Sequence, residues 1–185
     1  MTRNRRQAIL RQAAGYVELA EVLVEPHRPT PTAAIRVLDR ALATLEQLPE
    51  PTRSTPDALL LEGEALRASE RWEEAIVPLR RVVALAPAHA ASWLAIGWCL
   101  KRLGRIGEAV DSLKEGLSHA PSQAILHYNL ACYLSLMGRV PQAIEYLTQA
   151  IAIDQRFRDL TSGEPDFDPI RGDPRFVAAT DVPVS

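Results

Sequence analysis

The sequence predicts an all-α protein built from antiparallel helix pairs, and three observations support this fold class. The 185 residues are rich in Ala, Leu, Arg and Glu, which are good helix formers, and only 5% are aromatic. Apolar residues recur at the spacing of amphipathic helices, and no stretch shows the alternation expected of a strand. The middle of the chain also repeats with a period of 34 residues. Together these features indicate an α-solenoid, in which each helix pair stacks on the next.

The repeat is visible as columns of similar residues that recur at this spacing. Small residues, leucines, alanines and arginines each keep a column through three units, and a proline keeps one through two. These columns are Gly63, Gly97 and Ala131; Leu66, Leu100 and Leu134; Ala75, Ala109 and Ala143; Leu79, Leu113 and Leu147; Arg71, Arg105 and Arg139; and Pro87 and Pro121. Gly104 and Gly138 share a further column, in which the first unit has Glu70.

The middle unit shows how each repeat is expected to fold. A first helix is predicted from about residue 90 to 103, with Trp93 on its packing side. Gly104 is expected to end that helix by adopting a left-handed backbone. A second helix is predicted from about residue 106 to 119. Gly97 lies inside the first helix, where a glycine costs about 1 kcal/mol, so we expect it to permit close helix packing.

The regions that flank the repeats are expected to cap the array. Residues 1–54 contain two amphipathic stretches, 5–25 and 31–48, separated by three prolines, and are interpreted as a helical hairpin that is a degenerate repeat or a cap. Residues 158–185 are interpreted as a capping segment with a frayed tail, "TDVPVS". Asp173 and Pro174 are typical of a helix start. The apolar side chains expected to cover the last repeat are Phe167, Ile170, Phe176 and Val177.

The repeat pattern resembles that of the tetratricopeptide repeat family. In the middle unit the residues that carry this resemblance are Trp93, Ile96, Gly97, Leu100, Ala109, Leu113 and Pro121. Three units resemble the family, at 56–89, 90–123 and 124–157, although Leu59 replaces the tryptophan in the first and Gln155 replaces the proline in the third. The segment from Asp166 to Phe176 resembles those that close such arrays. The resemblance implies a right-handed superhelix with helical N- and C-terminal caps and a concave groove.

The resemblance also implies that the first helix of each unit lines this groove and binds a protein partner without catalysis. The residues expected to line it are Leu60, Leu61, Glu64 and Arg67; Leu94, Trp98, Lys101 and Arg102; and Ile125, Tyr128, Asn129 and Cys132. Some family members hold a partner's terminal carboxylate with Lys, Arg and Asn in the groove. Only Asn129 matches that set, and Glu64 would repel a carboxylate, so we expect no such clamp. The lining is instead apolar, with an aromatic pair, Trp98 and Tyr128, and a positive end at Lys101 and Arg102. Such a surface favours a hydrophobic or amphipathic peptide with some acidic character.

Composition and motifs argue against several other classes of protein. The net charge of −2 provides no general attraction for nucleic acid or an anionic membrane, and no apolar run is long enough to cross a bilayer. Glu18, Glu21 and Glu25 favour an ordinary amphipathic helix at the N-terminus over an arginine-rich transit peptide. Cys99 and Cys132 are interpreted as buried thiols of a cytoplasmic protein. The arginine column at 71, 105 and 139 is expected to be a solvated edge, so nucleic-acid binding is disfavoured.

No motif indicates a catalytic, metal or cofactor site. The stretch Gly104–Gly107 follows no strand and lacks the lysine of a phosphate loop, so we interpret it as an inter-helix turn. The four histidines lack zinc-site spacing, and the acidic residues of the tail lack that of a calcium loop. No nucleophile and base can be paired. We therefore expect a protein that is not an enzyme and needs no cofactor.

Three alternatives to a peptide-binding module stay open at this level. The first is a homo-oligomeric scaffold in which the groove or an exposed end pairs with a second copy, or a chain whose own N-terminal helix fills the groove. The second is a regulatory subunit of an enzyme or of a secretion or assembly system. The third is an RNA-associated repeat protein, for which salt-dependent binding would be the sign. The sequence names no partner and no pathway.

Overall fold

A computed structural model describes residues 1–24 and 28–181 of the chain. The predicted frayed tail lies mostly outside these residues, as do the middle of the Pro-rich break and the last residue of the helix predicted over 5–25. The described residues contain helices and no strand, which confirms the predicted all-α class. The ten α-helices are α1 (Arg3–Leu23), α2 (Thr32–Leu45), α3 (Pro56–Ala68), α4 (Trp72–Leu85), α5 (Ala90–Arg102), α6 (Ile106–His119), α7 (Ala124–Leu136), α8 (Val140–Ile153), α9 (Arg156–Leu160) and α10 (Pro174–Thr180).

The chain divides by its internal contacts into two compact units, residues 1–87 and 88–185. The boundaries expected at residues 54 and 157 separate repeats from caps, and each lies inside one of these units. Within the units, α1 packs on α3, and the C-terminal segment packs on α7 and α8. A helical hairpin or cap therefore shares a core with the repeat beside it.

In the first unit, α1 and α2 form an antiparallel pair that packs on α3. Ile9, near the start of α1, joins one apolar cluster with Leu45 and Leu48 from the end of α2. Val17, further along α1, joins a second cluster with Leu38. The pair α3 and α4 meets closely at Gly63, where an added Cβ would lie 2.7 Å from Leu79 Cδ2. A small residue is therefore required in this column.

In the second unit, α5 pairs with α6 and α7 pairs with α8, and α7 also packs on α5 and α6. The helices α5 and α6 match the ranges predicted for the middle repeat to within one residue. At Gly97 an added Cβ would lie 3.2 Å from Leu113 Cδ2 and 3.4 Å from a ring carbon of Tyr133. This confirms the expectation that Gly97 permits close packing of α5 against its neighbours.

The turns that end α3, α5 and α7 share one hydrogen-bonding pattern. In the middle turn the N–H of Arg105 donates to the carbonyl of Leu100 at 2.9 Å, and that of Gly104 donates to Lys101 at 2.9 Å. These two bonds define the Schellman cap, which requires a left-handed residue after the helix. Gly104 has φ +74°, as predicted, and Gly138 has φ +67°. The first unit builds the same cap with Glu70 at φ +62°.

Candidate functional site

The four candidate residues of the first unit lie on α3, and all are partly exposed. Leu61 packs against the cluster that contains Ile9, so much of its surface supports the α1–α3 contact. Arg67 Nε donates to Glu64 Oε2 at 2.8 Å. The two charges offset each other within one helix turn. With Leu60 beside them, this part of α3 presents an apolar surface and a neutral ion pair.

The candidate residues of α5 remain partly exposed, and the two tryptophans of this helix have different surroundings. Trp93 is buried and stacks on the His119 ring with centroids 6.3 Å apart. Trp98 is partly exposed, like Leu94, and the guanidinium carbon of Arg102 lies 5.7 Å from its ring centroid. A cation over an aromatic face at this distance is attracted by the ring. The predicted separation of a packing tryptophan from an accessible one agrees with this arrangement.

Lys101, which was expected to give the groove a positive end, is engaged by the C-terminal segment. Its ammonium group pairs with the Asp166 carboxylate, and the two side chains are 28% and 13% exposed. The same ammonium lies 5.6 Å from the ring centroid of Tyr133. Arg102 is the candidate cation of α5 that is exposed.

The face of α7 is covered by the chain itself. Tyr128 is buried, with its ring centroid 5.0 Å from that of Phe157 and 5.6 Å from that of Phe167. Phe167 in turn lies 5.3 Å from Phe176. Cys132 is also buried, so neither Tyr128 nor Cys132 is exposed to a partner in this structure. Tyr128, which was expected to line a groove, is instead covered by aromatic side chains of the C-terminal segment.

Two candidate residues of α7 lie outside this covered area. Ile125 and Asn129 are partly exposed. The Asn129 side-chain amide donates to the Ile125 carbonyl at 2.9 Å, within its own helix. One donor of the Asn129 amide is thus already used within α7.

Burial sets the protonation state of the covered side chains. Desolvation raises the pKa of the Cys132 thiol well above its usual range, and the nearby carboxylates of Glu164 and Asp166 raise it further. Desolvation also raises the pKa of the Tyr128 phenol. Both groups are therefore neutral at physiological pH. Because the thiolate is the reactive form of cysteine, Cys132 is chemically inert in this position.

Within the described ranges, no group of three or more His, Cys, Asp or Glu side chains is arranged to hold a metal ion. Among the same residues, no helix has both the length and the apolar character needed to cross a bilayer. Cys99 and Cys132 are buried, and neither is in a disulfide.

Sequence reasoning missed several contacts that shape this region. Gly116 lies so close to Trp93 that an added Cβ would sit 2.7 Å from its Cγ, and no repeat column marked that glycine. Phe157 covers Tyr128 although it belongs to no column. Val177, expected to cover the last repeat, is 42% exposed, whereas Phe167, Ile170 and Phe176 are buried as predicted. Each of these depends on packing between segments that are distant in sequence.

Comparison with known proteins gives a family and a fold. The tetratricopeptide repeat model matches residues 17–90, 60–124 and 94–156. No curated protein matches the sequence. Among solved structures, a MamA double mutant of RS-1 has a TM-score of 0.62 and 17% identity, over 84% of this chain and 78% of that one. Two further MamA crystal structures have TM-scores of 0.60 and 0.62, with 18% and 16% identity, over 85% and 96% of this chain and 92% and 93% of theirs.

Those identities establish likeness of fold. The family model establishes more, because its matches run over the three repeats and most of the N-terminal hairpin. The paired helices, the small-residue columns and the repeated caps agree with it. The chain belongs to the tetratricopeptide repeat family.

Proposed function

We propose that this protein is a non-catalytic interaction module that binds a hydrophobic or amphipathic peptide with an acidic group. Its family supplies protein-interaction and scaffold modules, which are generally not enzymes. We further propose which surface of the protein binds the peptide and which chemical groups of the peptide it prefers. We also propose a cytoplasmic location, which is favoured by two buried thiols that form no disulfide.

The observation that carries the proposal is the Trp98–Arg102 pair on α5. An aromatic side chain left partly exposed beside a well-packed core is the type of residue that dominates the energy of a binding interface. Arg102 lies over its ring and would meet an acidic group of the ligand. Leu94, one turn earlier on the same face, extends the apolar surface. Because these groups sit on a packed helix, binding would require little ordering of this surface.

The other proposed contacts follow from what remains accessible. In the first unit, Leu60, Glu64 and Arg67 form a separate accessible surface on α3, and the ion pair within it has no net charge. On α7 the proposed contacts are Ile125 and Asn129. Tyr128 and Cys132 are not included, because the aromatic side chains of the C-terminal segment already cover them. The proposed ligand therefore meets α7 only at its uncovered end.

Replacement of Trp98 by alanine tests the proposal. Random peptides displayed on phage would be selected on the whole protein, and enriched peptides measured by calorimetry. We expect enrichment of apolar and acidic residues. Trp98→Ala should weaken binding of the enriched peptides by about 2 kcal/mol, roughly 30-fold, and leave helicity unchanged.

Trp93→Ala provides the matched contrast on the same helix. Trp93 is buried against Gly116, so its loss should cost about 3–5 kcal/mol of folding stability and lower the melting temperature. If Trp98→Ala also collapses the melting temperature while peptide affinity survives, the proposed surface is part of the core and the proposal fails. Arg102→Ala should selectively reduce affinity for the acidic peptides.

A further inference from the structure

The outer face of α1 is an unpartnered helix surface with a regular pattern. The inner face of this helix packs through Ile9, Ala13, Val17 and Ala20. Helical geometry places the following residues on the opposite side: Ala8, Arg11, Gly15, Glu18, Leu19 and Val22. All six are exposed, and Leu19 and Val22 are 51% and 81% accessible. Leu19 and Val22 thus face outward at one end of α1, while the opposite face of the helix packs in the core.

Gly15 lies at the centre of this face, and no packing contact within the described chain requires a glycine there. A Cβ added there would meet nothing within 4 Å, in contrast to Gly63, Gly97 and Gly116. A glycine in the middle of a 21-residue helix weakens that helix relative to alanine. Glycine at such a position is explained when another backbone approaches closely. No described residue approaches Gly15, so a helix that packed there would belong to another molecule.

The charges on this face are arranged around Gly15. Arg11 lies one turn before it and Glu18 one turn after it. More widely, the first 17 residues hold four arginines and no acidic residue, and Glu18 and Glu21 follow in the second half of the helix. Neither Arg11 nor Glu18 makes an ion pair with any described residue. The face is therefore positive on one side of Gly15 and negative on the other.

We propose that a second copy of this chain docks on this face, with the two α1 helices antiparallel and crossing at Gly15. In that arrangement Arg11 meets Glu18 of the partner subunit, and Ala8 meets Val22 of the partner subunit. A parallel arrangement would place Arg11 against Arg11 and Glu18 against Glu18, which is repulsive. The face is therefore complementary in charge to an antiparallel copy of itself, as a two-fold symmetric interface requires.

The dimer is expected to be weak and concentration dependent. One helix from each subunit buries an area near the lower limit of specific interfaces, so association belongs to the transient class. The dimer proposal does not depend on the peptide-binding surface at Trp98, because the two surfaces share no residue and are tested with different variants. Light scattering and sedimentation of the full chain, from about 10 µM to about 1 mM, should show a monomer–dimer equilibrium.

Charge exchange tests the pairing. Arg11→Glu and Glu18→Arg each make both symmetry-related pairs repulsive, so each should raise the dimer dissociation constant about tenfold. The double variant exchanges the signs on both subunits and should restore dimerisation. A chain that is monomeric throughout the concentration range overturns the proposal. A dimer unaffected by either single reversal also overturns it, since association would then use another surface.

Gly15 tests the crossing point. Gly15→Leu should abolish the dimer while helicity and the melting temperature are maintained, because the added side chain meets nothing in the monomer. Gly15→Cys should form a disulfide-linked dimer under mild oxidation, since the two copies meet at the symmetry axis. Gly107→Cys is the matched control, because an added Cβ at Gly107 also meets nothing within 4 Å. Equal cross-linking of both variants would show random collision and would overturn the proposed crossing.

Discussion

At the scale of single residues, the three Schellman caps show how one backbone requirement is met in two ways. Gly104 and Gly138 adopt the left-handed conformation without steric cost. Glu70 adopts it at a cost of about 1 kcal/mol. Its carboxylate accepts a hydrogen bond from the Thr30 N–H at 2.9 Å, and the Thr30 hydroxyl donates to the Ala68 carbonyl at 2.9 Å. The first unit thus uses a strained cap residue to attach the segment that leads into α2.

Two neighbouring glycines should respond to alanine in opposite directions. Gly104→Ala places a Cβ on a left-handed residue and should destabilise the protein by about 1 kcal/mol. Gly107→Ala lies in the first turn of α6, where the Cβ meets nothing, and should stabilise it by up to about 1 kcal/mol. Chemical denaturation of the two variants beside the unaltered protein measures both. Equal shifts for both would mean that Gly104 is not required for the cap.

At the scale of elements, the C-terminal segment acts as a cover for α7. Phe157 and Phe167 flank the Tyr128 ring, Asp166 pairs with Lys101, and Arg171 donates to the Glu164 carbonyl at 2.9 Å. Aromatic packing supplies the apolar area, and the ion pair and hydrogen bonds hold the irregular backbone in place. The last repeat is thereby covered by the chain itself.

Removal of one aromatic side chain should uncover Cys132. Phe167 is fully buried, so Phe167→Ala should cost about 3–5 kcal/mol and loosen the contact with α7. The thiol would then be hydrated, its pKa would fall towards the usual range and its reaction with a maleimide would accelerate. Peptide mapping by mass spectrometry after timed labelling separates Cys132 from Cys99.

Leu113→Ala is the control for this experiment. Leu113 is equally buried but packs on Gly97, so its loss should destabilise the unit without uncovering Cys132 in particular. Preferential labelling of Cys132 in Phe167→Ala alone supports the covering role. Labelling of both cysteines at equal rates in both variants would indicate general unfolding and would contradict it.

At the scale of the whole molecule, the contacts divide the chain into two compact units. Repeat proteins gain stability from interactions between neighbouring elements, so a group of complete helix pairs can fold without the rest of the array. The second unit contains two complete pairs, α5–α6 and α7–α8, together with the segment that covers α7. It therefore holds the elements that an independent domain needs.

Residues 88–185 expressed alone should accordingly fold. We expect a helical circular dichroism spectrum, a cooperative thermal transition and a blue-shifted fluorescence component from buried Trp93. Residues 88–155, which lack the aromatic cover, should be markedly less stable, because Tyr128 and Cys132 would be exposed. If the two fragments melt alike, the C-terminal segment contributes nothing to the unit.

Much of the fold of this protein could be predicted from the sequence alone, because its main interactions are local and repeated. Helix periodicity, the column of Gly63 and Gly97, and the glycine at the end of α5 each report a requirement within one helix pair. Since the same requirement recurs every 34 residues, a pattern too weak to interpret once becomes clear when it is repeated. The same register separated Trp93, which packs, from Trp98, which is partly exposed.

The tertiary structure decided what covers each face. The segment carrying Phe157 and Phe167 has no repeat to define its register, so its position over Tyr128 depends on packing between elements distant in sequence. The pairing of Lys101 with Asp166 likewise joins residues 65 positions apart. Periodicity can show that a face is apolar, but it does not show whether a ligand or the chain itself occupies that face. That is decided by the free energy of long-range packing, which no local pattern records.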